Sequence, residues 1–239
     1  MSDTLNLWKR NLGRVPEEVW ERTGLRVLIL AGNGLTTLPE ALGELRELRT
    51  LDLGHNALTE VPEALGELTG LTDFLYLHDN EISQLPEALG RLTHLRYLNA
   101  GENRLTRLPA TLGAMTGLLE LRAQHNALKR LPESLGGLRA LRELWLRGNA
   151  LDRLPESVAA LGELRQLELR ENAFTRVPAQ LAALPRLRQL DLRANRLRHL
   201  PDWLTRMPAL EKLDLRWNDL TPPPDLLAAL ERRGCVVLH

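Results

Sequence analysis

One hydrophobic pattern returns along the whole chain at a nearly constant spacing. Residues 48–71 show it clearly as L-x-x-L-x-L-x-x-N-x-L-x-x-V-P-x-x-L-G-x-L-x-x-L, with polar residues at most of the unmarked positions. The asparagine recurs every 23 residues, except for a step of 24 between Asn56 and Asn80. A fixed period of this length is the signature of a stacked solenoid, in which each repeat buries its apolar face against its neighbours. The asparagines are Asn33, Asn56, Asn80, Asn103, Asn126, Asn149, Asn172, Asn195 and Asn218.

Each repeat divides into a strand, a turn and a short helical segment. The alternating pair Leu51 and Leu53 predicts a short β-strand with its leucines facing inward, and strands running in one direction predict a parallel sheet. The asparagine side chain can donate and accept hydrogen bonds, so a stacked column of asparagines can satisfy the turning backbone. A proline follows in all ten repeats and predicts a short helix or 3₁₀ turn on the opposite side. Alanine or threonine replaces the usual glycine of that segment at Ala159, Ala182 and Thr205, which predicts better-formed helices there.

This pattern resembles the leucine-rich repeat family, in its form of about 23 residues with L-P-x-x-L-G. Ten consecutive copies carry the resemblance over the chain. It implies an α/β solenoid shaped as a horseshoe, with a concave parallel β-sheet and short convex helices or 3₁₀ turns. It also implies a binding scaffold, usually for protein ligands. The L-P-E-x-L-G form is similar to repeats of scaffolds that bind small GTPases and to bacterial effector repeats.

The period predicts one leucine-rich repeat domain over residues 1–239. Residues 1–27 form an N-terminal capping repeat, in which Arg10 stands at the asparagine position and Arg22 at a core position. We expect Trp8 and Trp20 to cover that exposed end. Residues 28–212 are the regular repeats.

Residues 213–239 are predicted to hold the last repeat, with a C-terminal capping helix and strand. Adding 23 to Leu213 and Leu215 places Val236 and Leu238 at the inward positions of an eleventh strand. A chain that starts and stops so close to whole strands is typical of a complete small protein.

Charge and cysteine content narrow the class of partner and the compartment. The 31 basic and 31 acidic residues give a formal net charge of zero, which argues against nucleic acid or an anionic membrane as partner. The single cysteine, Cys235, excludes an internal disulfide and is typical of intracellular members of the family. No secretory signal or membrane span is recognisable. We therefore expect a monomer in the cytoplasm, or one delivered as an effector into another cell's cytosol.

Aromatic residues gather at outward strand positions of the middle repeats. Alignment by the period brings together Phe74, Tyr76, Tyr97 and Trp145, which is typical of the core of a binding interface. The alternative is cross-strand packing that stiffens the sheet. The predicted protein-binding residues are Phe74, Tyr76, Tyr97, Trp145, His55, His78, Glu120, Arg122 and Arg147.

Two further features lie on or beside the same face. An extra residue in Thr72-Asp73-Phe74 suggests a β-bulge that re-aims side chains near a site, with random drift as the alternative. An arginine column, Arg147, Arg170, Arg193 and Arg216, runs beside Glu168, Asp191 and Asp214. It is either a ladder of ion pairs or a surface for an acidic peptide or phosphate.

Catalytic chemistry has little support in the sequence. His55, His78 and Asp79 make a weak metal-site candidate, and Cys235 near His239 makes a weak nucleophile candidate. The sequence contains no phosphate-binding loop motif and no cysteine or histidine spacing typical of zinc ligands. The sequence therefore predicts a scaffold without catalytic residues, metal or cofactor, which binds a protein such as a small GTPase or a signalling protein. The alternative is a structural repeat protein that self-assembles through its convex face or its ends.

Overall fold

The computed structural model describes residues 3–239 and shows one parallel sheet of eleven strands in sequence order. Each strand pairs with those of the preceding and following repeats, so the fold is the predicted solenoid. The strands are β1 Thr4–Asn6, β2 Val27–Ile29, β3 Thr50–Asp52, β4 Phe74–Tyr76, β5 Tyr97–Asn99, β6 Glu120–Arg122, β7 Glu143–Trp145, β8 Gln166–Glu168, β9 Gln189–Asp191, β10 Lys212–Asp214 and β11 Val236–Leu238.

The convex side consists of 3₁₀ segments. This is one of the two forms that the sequence predicts, a short helix or a 3₁₀ turn. The segments are Glu17–Val19, Glu40–Glu44, Glu63–Glu67, Glu87–Arg91, Ala110–Ala114, Glu133–Gly137, Glu156–Ala160, Ala179–Ala183 and Asp202–Arg206. The expectation of better-formed helices near Ala159, Ala182 and Thr205 is wrong, because those segments are also 3₁₀. Each lies between a proline and a core residue, and five residues leave no room for an α-helix, whatever their helix propensity. The predicted C-terminal helix is present as α1, Pro224–Arg232.

The core is a continuous column of leucine side chains between the sheet and the 3₁₀ segments. The inward strand residues Leu51 and Leu53 are fully buried, and so are their counterparts in neighbouring repeats. Trp20 joins this core at 5% exposure, whereas Trp8 is 55% exposed. Of the two tryptophans expected to cover the first repeat, only Trp20 packs into the core.

The asparagines form the predicted hydrogen-bonded ladder behind the strands. Asn56 Nδ2 donates to the carbonyl oxygens of Leu30 at 3.1 Å, Leu53 at 3.0 Å and Gly54 at 3.1 Å. Its Oδ1 accepts from the backbone N–H groups of Asn33 at 2.9 Å and Leu35 at 3.1 Å. One side chain thus satisfies backbone groups of its own repeat and of the preceding one.

The residue before each asparagine has a left-handed backbone. His55 has φ of 54°, and Trp217, despite its size, has φ of 61°. Sequence reasoning missed this column, although the glycines at two of its positions, Gly32 and Gly148, were a signal. The other residues of the column with positive φ are Lys9, Asp79, Glu102, His125, Glu171 and Ala194.

The register of β11 differs from the prediction by one residue. Val236 pairs with Lys212 and Val237 with Leu213, a step of 24, so Val236 points outward and is 56% exposed. Cys235, which the period placed outward, is 3% exposed and lies in the core. The physical reason is that α1 replaces the shorter 3₁₀ segment of the other repeats, so the chain reaches the sheet one residue later.

The extra residue near β4 is absorbed before the strand begins. The N–H groups of Asp73 and Phe74 donate to Arg49 O, the bonding found in regular repeats, while Arg96 N donates to Thr72 O and Tyr97 N to Asp73 O. Phe74 still pairs with Tyr97 on β5, and the register of β4 is continuous on both sides. The expectation of re-aimed strand side chains is therefore wrong.

Candidate functional site

Three aromatic rings pack together on the concave face at the centre of the sheet. Phe74 and Tyr76 project from β4 on either side of the inward Leu75, and Tyr97 projects from β5 opposite Phe74. Ring centroids are 5.8 Å apart for Phe74 and Tyr76, 5.6 Å for Phe74 and Tyr97, and 5.2 Å for Tyr76 and Tyr97. These separations are typical of favourable aromatic pairs.

Arg122 links Trp145, the fourth predicted aromatic residue, to the three packed rings. Its guanidinium carbon lies 5.7 Å from the Tyr97 ring centroid and 4.9 Å from that of Trp145, within the range of cation–π attraction. Glu120 holds Arg122 in place through a contact of 2.5 Å between Glu120 Oε1 and Arg122 Nε. We call Phe74, Tyr76, Tyr97, Arg122 and Trp145 the aromatic patch.

The aromatic patch is only partly covered. Phe74 is 43% exposed, while Tyr76, Tyr97, Arg122 and Trp145 are half-buried. Burial raises the pKa of both Tyr76 and Tyr97, so their phenolic O–H groups remain protonated donors at neutral pH. The patch therefore offers apolar ring faces together with hydrogen-bond donors, as interface cores do.

His55 and His78 extend the patch toward the N-terminal end of the sheet. The His78 ring lies 5.9 Å from that of Tyr76 and 4.7 Å from that of His55. His55 Nδ1 lies 2.6 Å from Asp79 Oδ2, and the Nε2 atoms of the two histidines are 3.3 Å apart. The structure thus brings the weak metal-site candidate together, yet in residues 3–239 no group of three such side chains is arranged to hold a metal ion.

The pKa of His78 is lowered, first by burial and then by the neighbouring His55; Asp52, Glu102 and Asp79 oppose this more weakly. His78 Nδ1 is also buried without a hydrogen-bond partner. Both observations mean that the folded protein favours the neutral ring. The unfolded chain, with the ordinary value near 6.5, then binds a proton that the folded protein does not.

We expect thermal stability to fall as pH drops below about 6.5 toward the lower pKa of folded His78, because protonation there favours unfolding. The variant His78→Gln should show a shallower slope of melting temperature against pH over this window. His94→Gln, the same change at an exposed histidine, should leave the slope as in the unmodified chain. Identical slopes for the unmodified chain and His78→Gln would contradict the assignment.

The arginine column forms ion pairs in its last two repeats. Arg193 contacts Asp191 at 2.5 Å and Asp214 at 3.3 Å, and Arg216 contacts Asp214 at 2.7 Å. Burial raises the pKa of Asp214, but the hydrogen bonds from Arg216 and the charges of Arg193 and Arg216 together hold it below its ordinary value. The ion-pair ladder, one of the two interpretations of this column, is thus present in this part of the sheet.

Glu168 breaks the ladder. By the pattern of Asp191 with Arg193, its partner should be Arg170, but Arg170 contacts Glu171 Oε1 through Nε at 2.9 Å and Nη2 at 2.6 Å. Glu171 follows Arg170 directly, whereas Ala194 and Trp217 occupy the matching positions after Arg193 and Arg216. Sequence reasoning missed this competition, and Glu171 was the signal for it.

Arg147, the last of the predicted binding residues, belongs to the edge of the patch. Its Nε donates to His125 Nε2 at 3.0 Å, and its side chain lines a cavity together with Trp145. The other weak catalytic candidate, Cys235, is buried, and burial raises the pKa of its thiol. A reactive cysteine shows the opposite shift.

Comparisons with known proteins agree with this architecture. A family model described as "Leucine rich repeat" matches residues 3–58, 23–82 and 155–220. A search of curated proteins returned no match. Among residues 3–239, no helix has the length and apolar character needed to span a membrane.

Several solved structures share the fold. A leucine-rich repeat protein of Leptospira interrogans is 26% identical with a TM-score of 0.79, over 95% of this chain and 69% of that one. The leucine-rich repeat domain of the type III effector XopL is 28% identical with a TM-score of 0.79, over 92% and 78%. The ectodomain of the Arabidopsis thaliana receptor kinase GASSHO1/SCHENGEN3, solved in complex with CASPARIAN STRIP INTEGRITY FACTOR 2, is 28% identical with a TM-score of 0.78, over 99% and 32%.

Proposed function

Because the chain belongs to the leucine-rich repeat family, we propose that it is a protein-binding scaffold whose binding site is the centre of its concave face. Proteins of this family are generally non-catalytic interaction scaffolds. The proposed partner is a protein, such as a small GTPase or a signalling protein, bound by a monomer. The proposed compartment is the cytoplasm, or the cytosol of another cell after delivery as an effector.

The aromatic patch is the observation that carries this proposal. Its four aromatic residues face solvent on the sheet rather than the leucine core, and Phe74 is 43% exposed. Glu120, Arg122, Arg147 and the two histidines surround the rings with polar groups. Rings at the centre with charge at the margin are the usual composition of an interface hot spot and its rim.

The alternative interpretation, stiffening of the sheet, accounts for the ring contacts but leaves the exposed ring faces without a role. The two interpretations differ in what truncation does. Tyr97 contacts the Phe74 and Tyr76 rings, and each such aromatic pair contributes about 0.5–1.5 kcal/mol. A purely structural patch would therefore show its whole effect in stability.

The plant receptor ectodomain supports a protein or peptide as the class of partner, because its structure includes CASPARIAN STRIP INTEGRITY FACTOR 2. This chain spans 32% of that ectodomain. The likeness therefore supports only the class of partner, a protein or peptide.

We expect the double variant Tyr97→Ala, Trp145→Ala to lose its partners while keeping its fold. Each anchor should contribute about 2 kcal/mol or more to binding, so the pair contributes about 4 kcal/mol and affinity should fall by roughly 700-fold or more. The two ring pairs of Tyr97 contribute about 1–3 kcal/mol, so their loss should lower the melting temperature by about 2–12 °C and leave the fold intact. Affinity capture from lysate, with quantitative comparison of recovered proteins, and a thermal melt measure the two effects.

The matched control is Trp8→Ala, Trp217→Ala, which removes two aromatic side chains that are 55% and 67% exposed at the ends of the solenoid. This control should retain the partners. Undiminished capture by the Tyr97, Trp145 variant would place the interface elsewhere, and loss of its fold would assign the rings a structural role. Loss of capture in the control alone, together with concentration-dependent dimerisation of the unmodified chain, would favour self-assembly through the ends.

A further inference from the structure

A cavity of about 230 Å³ opens on the concave face next to the aromatic patch. It lies over β7 to β10, and its lining includes Trp145, Gln166, Glu168, Gln189 and Asp191. The register places Glu168 directly between Trp145 on β7 and Asp191 on β9. These flanking side chains cover Glu168, although it projects from the outward side of its strand.

Glu168 is largely buried, and no group of residues 3–239 forms a hydrogen bond or an ion pair with its carboxylate. It is only 7% exposed, and burial raises its pKa; Asp191 reinforces that effect, and the charges of Arg147, Arg170 and Arg193 oppose it. A buried ionised group normally has a partner, because loss of hydration is costly. An unpaired carboxylate that lines a cavity therefore points to a cationic ligand.

The guanidinium groups nearest to Glu168 are already committed elsewhere. Arg147 donates to His125, Arg170 to Glu171, and Arg193 to Asp191. Lys212 also lines the cavity, but it is exposed and lies on β10, two strands from β8 and thus about 10 Å away along the sheet. Arg147 and Arg193, which also line the cavity, and Arg170 therefore act on Glu168 only through their charge, and in residues 3–239 none of them pairs directly with its carboxylate.

We propose that this cavity binds a guanidinium group, with Glu168 as its carboxylate partner. The same face shows the arrangement in neighbouring repeats, where Asp191 and Asp214 each hold an arginine of this chain, and at Glu168 that place is open. Gln166 and Gln189 supply amide oxygens that accept further N–H donors, which suits the five donors of a guanidinium better than the compact ammonium of lysine. Trp145, whose ring already attracts Arg122 at 4.9 Å, lines one side of the cavity with an aromatic surface of the kind that attracts guanidinium groups.

The guanidinium can belong to a free small molecule or to an arginine side chain of a protein partner. This inference goes beyond the proposed function, because it concerns a cavity that shares only Trp145 with the aromatic patch and can be tested with small probes alone. The probe N-acetylarginine methylamide carries no charge other than its guanidinium. The peptide acetyl-Gly-Gly-Arg-Gly-Gly-amide presents the same group within an extended chain, and N-acetyllysine methylamide replaces it with an ammonium.

Binding of each probe is measured by isothermal titration and by NMR of the labelled Glu168 carboxyl carbon. We expect saturable binding of the arginine probe, weaker binding of the lysine probe, and a lower pKa of Glu168 when the arginine probe is bound. Glu168→Gln keeps the size of the side chain and removes its charge, and it should weaken binding by about 10-fold or more. Glu81→Gln, the same change at an exposed residue far from the cavity, should bind as the unmodified chain does.

The outcomes distinguish a free guanidinium compound from a protein arginine, and they distinguish failure of this inference from failure of the proposed function. A peptide that binds more tightly than the single-residue probe identifies a protein arginine, and the reverse order identifies a free guanidinium compound. No saturable binding by the folded chain, or equal binding by Glu168→Gln, would overturn the inference. Tyr97→Ala lies outside the cavity and should retain probe binding, so failure of the partner site and failure of the guanidinium site give different results.

Discussion

Replacing Asn195 with alanine is expected to lower the free energy of unfolding by about 2–5 kcal/mol. Asn195 is 8% exposed, and its Nδ2 donates to the carbonyl oxygens of Leu169 at 3.0 Å, Leu192 at 3.0 Å and Arg193 at 3.2 Å. Its Oδ1 accepts from Phe174 N at 3.0 Å. Alanine leaves these backbone groups without partners in a packed interior, where each unpaired group costs about 1–3 kcal/mol.

Chemical denaturation measures the loss of free energy of unfolding, and hydrogen exchange shows which repeats lose protection. Because the stability of a repeat protein is close to a sum over neighbouring repeats, protection should fall mainly in the repeats that flank Asn195. Asn6→Ala serves as the control, because Asn6 accepts a single hydrogen bond from Trp8 N at an exposed position. An unfolding midpoint for Asn195→Ala equal to that of the unmodified chain would show that the ladder does not stabilise the fold.

Removal of residues 217–239 is expected to cause aggregation. Leu226 and Leu230 of α1 and Cys235 before β11 are 5%, 1% and 3% exposed and close the end of the core. Arg233 ties this segment to the preceding repeat through the carbonyl oxygens of Thr205 and Met207. Without it, the last leucines of the solenoid would face water, and exposed ends of solenoids associate.

Size-exclusion chromatography with light scattering measures this outcome at several concentrations. The control is Val236→Ser, a polar change on the outward side of β11, where the side chain is 56% exposed. That variant should stay monomeric with nearly unchanged stability. A shortened chain that is soluble, monomeric and equally stable would mean that α1 and β11 do not cap the solenoid.

The repeat architecture could be predicted from the sequence because each repeat is specified by local spacing. Leu51 and Leu53 alternate about Asp52, and Asn56 follows at a fixed distance, so strand, turn and ladder come from neighbouring residues of one repeat. The same arithmetic placed Phe74, Tyr76 and Tyr97 on one face. Their ring contacts follow from that placement, since adjacent strands lie about 4.8 Å apart.

Where the prediction failed, spacing alone was not sufficient. The period assigned Val236 to the core and Cys235 to the surface, and the longer helix α1 moved both by one residue. It placed the arginine column beside Glu168, Asp191 and Asp214 without assigning pairs, and the structure pairs Arg170 with Glu171. An arginine side chain is long and flexible, so competition among nearby carboxylates decides its partner.

The sequence by itself determined the solenoid, the asparagine ladder and the outward position of the aromatic patch, because these depend on backbone periodicity and on which side of a strand a residue lies. Only the tertiary structure decided the burial of Glu168 and the cavity beside it. Trp145 and Asp191 lie 23 residues before and after Glu168 in the chain and directly beside it in the sheet. Burial of a strand residue depends on the side chains beside it in the sheet, and these come from repeats that are distant in the chain.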